Sequence, residues 1–535
     1  MDASLFHDIP EPVRRIGLLL HEAGYDAVLV GGCVRDLLRG VVPADQDLVT
    51  SAPTDDLCRL LSADHSVRVV YAVNERFSTL GAVCSDGSKL EISRYRPDAL
   101  GAPTLEQRFA IDASHRDFTI NALGIDLASG ALLDPLGGRG DLEDCVLRAC
   151  GDVDARLAED PLRAIRAARF VAELRCALAP ATRDALARAT PSLALVAPER
   201  IREELTRLLV AEHVAAGLAV LLESGALAAV LPEVAALDGM TQPSFHDLDV
   251  LAHTMQAVAL APATPVMRWA ALLHDVGKAP TRSVDTDGRV RFLGHAQAGE
   301  RMAAAIVERL RFSAAQSRAI VHLVATHMRL GELDLANPRA VDRAVRSLDL
   351  HTGEPETPPL VSAEDVISLT LADFGATAHR ADVPRVRAAL ESAVAASRAR
   401  GTHEPIVSPV SGTDIMAAFC LTEGPQVGVA KHAIEDAIER GLLADDDKEG
   451  ALVVAAAALG TVHGSDDGRR ADEGCGEDAP LEEDPRYRAK RIVRGVVSAV
   501  LIIALLLLLV FGVVQRIPRR QDPSPRPVYT TQARG

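Results

Sequence analysis

The stretch Val28–Thr50, VLVGGCVRDLLRGVVPADQDLVT, decides how the rest of the chain is read. It opens on a short apolar run, Val28–Val30, of the kind that forms a buried strand. Gly31-Gly32 breaks the run, and a helical stretch carrying Arg35 and Asp36 follows. The chain then returns to present Asp45 and Asp47 beside a second apolar pair. Glycines at a strand-to-helix turn let backbone N–H groups approach an anion, and a helix N-terminus favours negative charge. Two residues apart on a strand, Asp45 and Asp47 project from one face. Paired carboxylates suit Mg²⁺, a hard cation that takes oxygen ligands. A tight turn and a solvated acidic loop would explain each half separately. A phosphate cradle followed closely by an acid pair reads instead as nucleotidyl transfer.

GGCVRD (31–36) followed by DQD (45–47) resembles the signature of the class II tRNA nucleotidyltransferases and bacterial poly(A) polymerases, within the polymerase-β-like superfamily. The resemblance implies an α/β head, a nucleotidyltransferase sheet with helices, followed by an all-α neck, an HD-type body and a tail. It implies nucleotide contacts from Gly31, Gly32 and Arg35, and Mg²⁺ held by Asp45 and Asp47 as catalytic residues.

The following segments keep the family's order. A helix is expected from Pro12 to Ala23 and another from Pro53 to Leu61, then strands at Val67–Val73, Thr79–Cys84 and Lys89–Tyr95. The superfold places a third carboxylate on a neighbouring strand, which makes Glu91 the candidate; a surface Glu on a half-buried strand fits it as well. HRDFTINAL (115–123) resembles the family's RRDFTINA, with His115 in place of the first arginine. By that resemblance Arg116 contacts the triphosphate or sugar, a task suited to a guanidinium fork. DPLGGRGDL (134–142) matches the element joining head to neck.

AEDPLRAIRAARF (158–170) places Pro161 at a helix start behind two acids, and Arg163, Arg166 and Arg169 recur every three residues on one face. In the resembling family this motif is the nucleotide template. Asp160 and Arg163 would select the base, while Arg166 and Arg169 would contact phosphates or sugar. Cytosine N4 and adenine N6 both donate to a carboxylate, whereas uracil and guanine present a carbonyl there. PERIREEL (198–205) reads as the closing helix of the neck.

Farther on, His253, His274-Asp275, His295, His327 and Asp373 stand in the order of the HD phosphohydrolases, with LLHDVGK (272–278) the most specific piece. His253, His274, Asp275 and Asp373 are the candidate ligands, with His295 and His327 as additional ones. They would take a divalent transition metal or Mg²⁺. In the family such a domain accompanies phosphatase or 2′,3′-cyclic phosphodiesterase activity. Residues 332–362 read as an insertion or long loop, and GPQVG (424–428) as a turn before a tail helix.

Composition narrows the partners. Aromatics make up only 3% of the 535 residues, which argues against an aromatic base-stacking platform. Eight cysteines form no CxxC pair and no zinc spacing, consistent with reduced thiols in the cytoplasm. The net charge of −17 is awkward for an RNA-binding protein, although 464–484 alone holds nine Asp/Glu against two Arg. RNA must therefore meet a local basic stripe.

The expected partition is head 20–145, neck 146–207, body 208–400, tail 401–463 and an acidic linker 464–490. Gly495–Val514 then runs for 20 residues without a charge, the length of a bilayer span. Five basic residues flank each side, so charge does not orient it. The sequence thus predicts a single-pass membrane protein anchored by its C-terminal helix, with catalytic domains in the cytoplasm; oligomerisation is left open. The function implied is CCA addition to tRNA 3′ ends from CTP and ATP. Its alternatives are A-adding, CC-adding or poly(A) tailing, and, in another class, a membrane-tethered HD phosphohydrolase with an RNA-binding head. Val69–Val83 lacks the basic stretch associated with poly(A) polymerases, which ranks tailing lower.

Overall fold

The computed structural model describes residues 9–462 apart from 44, 75–78, 243–247, 332, 352–357, 401–407, 420, 423, 440–441 and 445. Two compact units meet in sequence between His403 and Glu404. The first opens with α1 (Glu11–Glu22), whose Val13, Ile16 and Leu20 fall at helical spacing and are buried. β1 (Ala27–Val30) is buried along its whole length. It is followed by α2 (Gly32–Leu38), β2 (Gln46–Thr50), α3 (Thr54–Ala63), β3 (Val67–Asn74), β4 (Thr79–Cys84) and β5 (Lys89–Arg94). After α4 (Leu105–Ser114) come β6 (Gly124–Asp126) and β7 (Leu132–Leu133).

These strands form one sheet in the order β3-β4-β5-β2-β1-β6-β7. Every neighbouring pair is antiparallel except β2 and β5, which run parallel with Asp47 opposite Glu91. Alternation splits the sheet's apolar residues between two cores. Leu29, Leu48 and Ile92 pack with α1 and α3, while Val28, Val30 and Val49 pack with Phe109 and Ala113 of α4. Asp47 lies two residues before Val49 and so shares the α4 face.

The local reading needs two adjustments. β2 begins at Gln46, leaving Asp45 in the bend before the strand. β1 ends at Val30 opposite Asp47, and the chain beyond it has turned into α2, so Asp45 has no β1 residue facing it. Pro161 lies in the turn between α5 (Val153–Glu159) and α6 (Arg163–Leu174) rather than inside a helix start. α6 packs on α7 (Pro198–Val210), and the helical body continues through α8 (Val250–Leu260), α9 (Pro265–Leu273), α10 (His295–Arg309), α11 (Ala314–Thr326) and α12 (Ala363–Gly375). One continuous apolar core runs from Phe118 through α6 to the body helices.

Among its described residues the second unit has three helices, Gly412–Phe419, Pro425–Glu439 and Lys448–Val462, closed on Ile415, Ile434, Ile438, Ala451 and Ala455. The expected turn at 424–428 is shorter than its sequence suggests: the helix already starts at Pro425, where the ring's fixed φ suits a first helical position.

The membrane assignment is corrected. Among the described residues, no helix is long and apolar enough to cross a membrane. Helix Lys448–Val462 has 15 residues, about 22 Å at about 1.5 Å per residue against about 30 Å of hydrocarbon. The 18-residue helix Val383–Arg400 carries five charged side chains. The run Gly495–Val514, on which the single-pass localisation rested, lies outside the described residues.

Candidate active site and a second ligand cluster

A cleft of about 890 Å³ opens where the sheet meets α6. Gly31, Gly32, Arg35, Asp45, Asp47, Arg116, Asp160, Arg163, Arg166 and Arg169 all line it. Gly31 adopts φ +83°, and a Cβ there would lie 3.3 Å from Arg116 Nη1 and 3.7 Å from Asp47 Oδ2. The positive φ is what calls for glycine, and a side chain there would also press on the Arg116 guanidinium. Glu91 is exposed and does not line the cleft, but register holds it opposite Asp47. Burial lifts the Asp47 carboxyl to about 6, reinforced by Glu91 and Asp45 and opposed by Arg116. Such a crowd of oxygen donors, partly desolvated, fits a hard divalent cation that would relieve the mutual repulsion.

The arginines do not form a solvated basic stripe. Arg166 makes a two-pronged bond to Asp117 Oδ2 at 3.0 and 2.6 Å, and Arg116 reaches Asp112 Oδ2 at 3.3 and 3.1 Å. Arg35 donates to Asn121 Oδ1 at 2.7 Å. Arg169 lies 2.7 Å from Glu204 Oε2 and 4.1 Å over the Phe170 ring. Burial works against the charge of Asp117, yet the Arg166 guanidinium holds its carboxyl below the usual range. Asp160 accepts from Arg200 at 2.8 Å. Arg163 donates to the carbonyl oxygens of Arg156 and His115, both at 2.8 Å.

Sequence reasoning left out Asp112, Asp117, Glu204 and Arg200 as functional partners. Asp117 stands inside HRDFTINAL, between Arg116 and the apolar Phe118, and an acid in that setting is the usable signal. Glu204 and Arg200 sit in a motif that reads as structural, and nothing local distinguishes them.

The second cluster lies in the body. His253, His274 and Asp275 present ligand atoms all within 4.8 Å of one another, as do Asp275, His295 and His327. Asp373 Oδ1 lies 2.9 Å from His253 Nε2 and 3.6 Å from His274 Nε2, so all six expected residues converge. His274, His295 and His327 donate through Nδ1 to the carbonyls of Ala271, Phe292 and Val324 at 2.8, 2.9 and 2.7 Å. In the neutral rings that leaves Nε2 as the ligand atom facing inward, and these buried Nε2 atoms have no hydrogen-bond partner; on His274 a metal would displace the proton that the neighbouring carboxylates favour. Lys278 Nζ lies 2.6 Å from Asp275 Oδ2 and donates to Gln242 at 2.7 Å. Burial opposes charge on His274, but Asp275 and Asp373 raise it to about 10; burial, with that charge nearby, lowers His327 to about 4. Mixed imidazole and carboxylate donors with unfilled lone pairs fit a divalent metal.

Three family models match the chain. Residues 27–148 match a poly A polymerase head domain, 177–237 a probable RNA and SrmB-binding site of polymerase A, and 250–366 an HD domain. An A-adding tRNA nucleotidyltransferase of Deinococcus radiodurans is 35% identical over 438 residues, covering 77% of this chain and 91% of that protein. A CC-adding tRNA nucleotidyltransferase of Thermus thermophilus is 34% identical over 439 residues, covering 78% and 90%. In fold, the chain is similar to the Thermotoga maritima CCA-adding enzyme solved with tRNA, with a TM-score of 0.52 at 19% identity over 85% of this chain and 98% of that one. A CCA-adding enzyme solved with ATP gives 0.53 over the same shares.

Proposed function

Because this chain belongs to the family of class II tRNA nucleotidyltransferases and bacterial poly(A) polymerases, we propose that it adds C, C and A to tRNA 3′ ends from CTP and ATP. The carrying observation is Asp47, half-buried opposite Glu91 and beside Gly31 in an arginine-lined cleft. The tRNA 3′-oxygen forms a bond to the α-phosphorus while the α–β bridging bond breaks, and pyrophosphate leaves. Asp45 and Asp47, with Glu91 beside them, would hold Mg²⁺, which supplies hydroxyl activation and charge neutralisation. Gly31 and Gly32 let the backbone approach the triphosphate, and Arg35 and Arg116 flank it. Asp160 and Arg163 read the base edge; Arg166 and Arg169 face the phosphates or sugar. Each of these arginines is already paired, so the site's charge is held in place before the anion arrives, which limits reorganisation during the reaction.

The partition into head 20–145, neck 146–207, body 208–400 and tail 401–463 is part of this reading. So is a second activity in the body, a metal-dependent phosphatase or 2′,3′-cyclic phosphodiesterase, with His253, His274, Asp275 and Asp373, and His295 and His327 beside them, holding a transition metal or Mg²⁺. A narrower product is favoured by one observation: the A-adding and CC-adding relatives match over about nine-tenths of their own length. Supplying tRNA ends that lack CCA, CA or A with each labelled NTP separately distinguishes these cases. Incorporation of C, C and A in turn supports the proposal. ATP used only on tRNA ending in CC would replace it with A-addition, and no incorporation on any end would overturn it.

A further inference from the structure

Arg163 owes its position to two backbone carbonyls, and the side chains of those same two residues touch each other. Its Nη1 donates to Arg156 O and its Nη2 to His115 O, each at 2.8 Å. The two residues lie 41 positions apart, yet Arg156 Nη1 meets His115 Nδ1, closing a ring of contacts around the Arg163 guanidinium. On its far side His115 Nε2 lies 3.2 Å from Asp98 Oδ2. A guanidinium only donates, so Nδ1 must accept, and Nε2 carries the proton toward Asp98. The ring closes with His115 in one neutral tautomer and in no other protonation state.

We propose that His115 and Arg156 are positioning residues that aim the Arg163 guanidinium, and that they do so only while His115 is neutral. This rests on the base-reading role proposed above for Arg163. A second proton on His115 would place N–H against N–H and a cation beside the Arg156 cation, opening the contact. The charged groups around the ring are Asp98 on one side, Arg156 and Glu159 from α5, and Arg163 from α6, on which Asp117 and Asp160 also act. Glu159 Oε1 is 3.8 Å from His115 Nδ1 and 2.7 Å from Arg156 Nη2, so it would receive a protonated Nδ1 and draw the imidazole off Arg156. Glu159 Oε2 also lies 3.6 Å from Arg163 Nη1 and would follow the same shift. Protonation of His115 thus disturbs the direction of the base-reading group, which changes the ratio between nucleotides, whereas a change at Asp47 would act on the chemistry common to both.

The test measures discrimination, the ratio of kcat/KM for CTP to that for UTP on tRNA lacking its last three nucleotides, from about pH 8 to about pH 5.5. The unmodified protein should lose roughly tenfold in this ratio as pH falls, an effect of one directed hydrogen bond. His115→Ala should show roughly that loss already at about pH 8, again the worth of one hydrogen bond. His115→Asn, which keeps an acceptor oxygen and has no proton to gain, should restore the ratio and make it independent of pH. Arg163→Ala is the reference. If it loses discrimination while His115→Ala keeps it, this inference is wrong and the base-reading role stands. If Arg163→Ala keeps full discrimination, the base-reading role fails and the inference goes with it. Should His115→Ala not fold, the Asn variant decides alone: a pH dependence identical to that of the unmodified protein overturns the proposal.

Discussion

In the head cleft Asp117 and Asp112 are buried against Arg166 and Arg116, whereas in the body buried Asp275 and half-buried Asp373 face the imidazoles of His274 and His253. The partner type sets what each region can bind. A guanidinium never gives up its proton, so the head carboxylates are neutralised permanently and the excess arginine edges face an incoming anion. An imidazole can exchange its proton for a metal, so the body carboxylates and imidazoles together form a ligand set. Asp47 stands between these cases. It is only half-buried where Asp117 is buried, it is crowded by Glu91 and Asp45, and its carboxyl is raised where that of Asp117 is lowered. Within one cleft, then, some carboxylates are structural anions and one is poised for a cation.

The largest effect expected from this contrast is on chemistry. Asp47→Ala should lower nucleotide incorporation by about 10³-fold or more, since charge neutralisation by a metal is worth several kcal/mol of the barrier. Divalent metal retained by the body cluster, read by elemental analysis, should not change. Normal incorporation would remove Asp47 from the set of metal ligands.

Next is stability. Asp117→Ala leaves Arg166 without its bidentate partner, and breaking a buried pair costs roughly 3 kcal/mol. Urea unfolding should show it. His274→Ala should instead abolish divalent-metal retention while sparing nucleotide incorporation. Loss of incorporation in a folded His274→Ala variant would mean that the two regions work as a single site.

The smallest effect is a pH dependence in metal-free protein. The Asp47 carboxyl is raised to about 6 from an ordinary value near 4, so between those values the folded state binds more protons than the unfolded state. Stability in chelator should therefore decline as pH rises from about 4 to about 6. Asp47→Asn removes that decline, and the difference between the two unfolding profiles isolates it from other carboxylates. Identical profiles would mean that Asp47 is not crowded as described.

The local windows were legible because strand alternation and helical turns act over a few residues. VLVGGCVRD, the strands through Glu91, and LLHDVGK each announced their element, and the six candidate ligands of the body lie close together. Asp45 was placed one residue too far into its strand, because strand length depends on a partner and β1 stops at Val30. The membrane span was read from hydropathy and length alone, and no described helix supports it.

By itself the sequence determined which residue types stand at the glycine turn, the acid pair, the template motif and the body cluster, and hence the family. Only the tertiary structure decided which charge answers which. Arg166 finds Asp117 across 49 residues, His253 finds Asp373 across 120, and Arg156 finds His115 across 41. Short-range periodicity fixes the face from which a side chain projects, but its electrostatic partner arrives from another segment brought there by packing. The same aspartate can therefore be a structural anion, a metal ligand or a helix end, according to what the fold sets beside it.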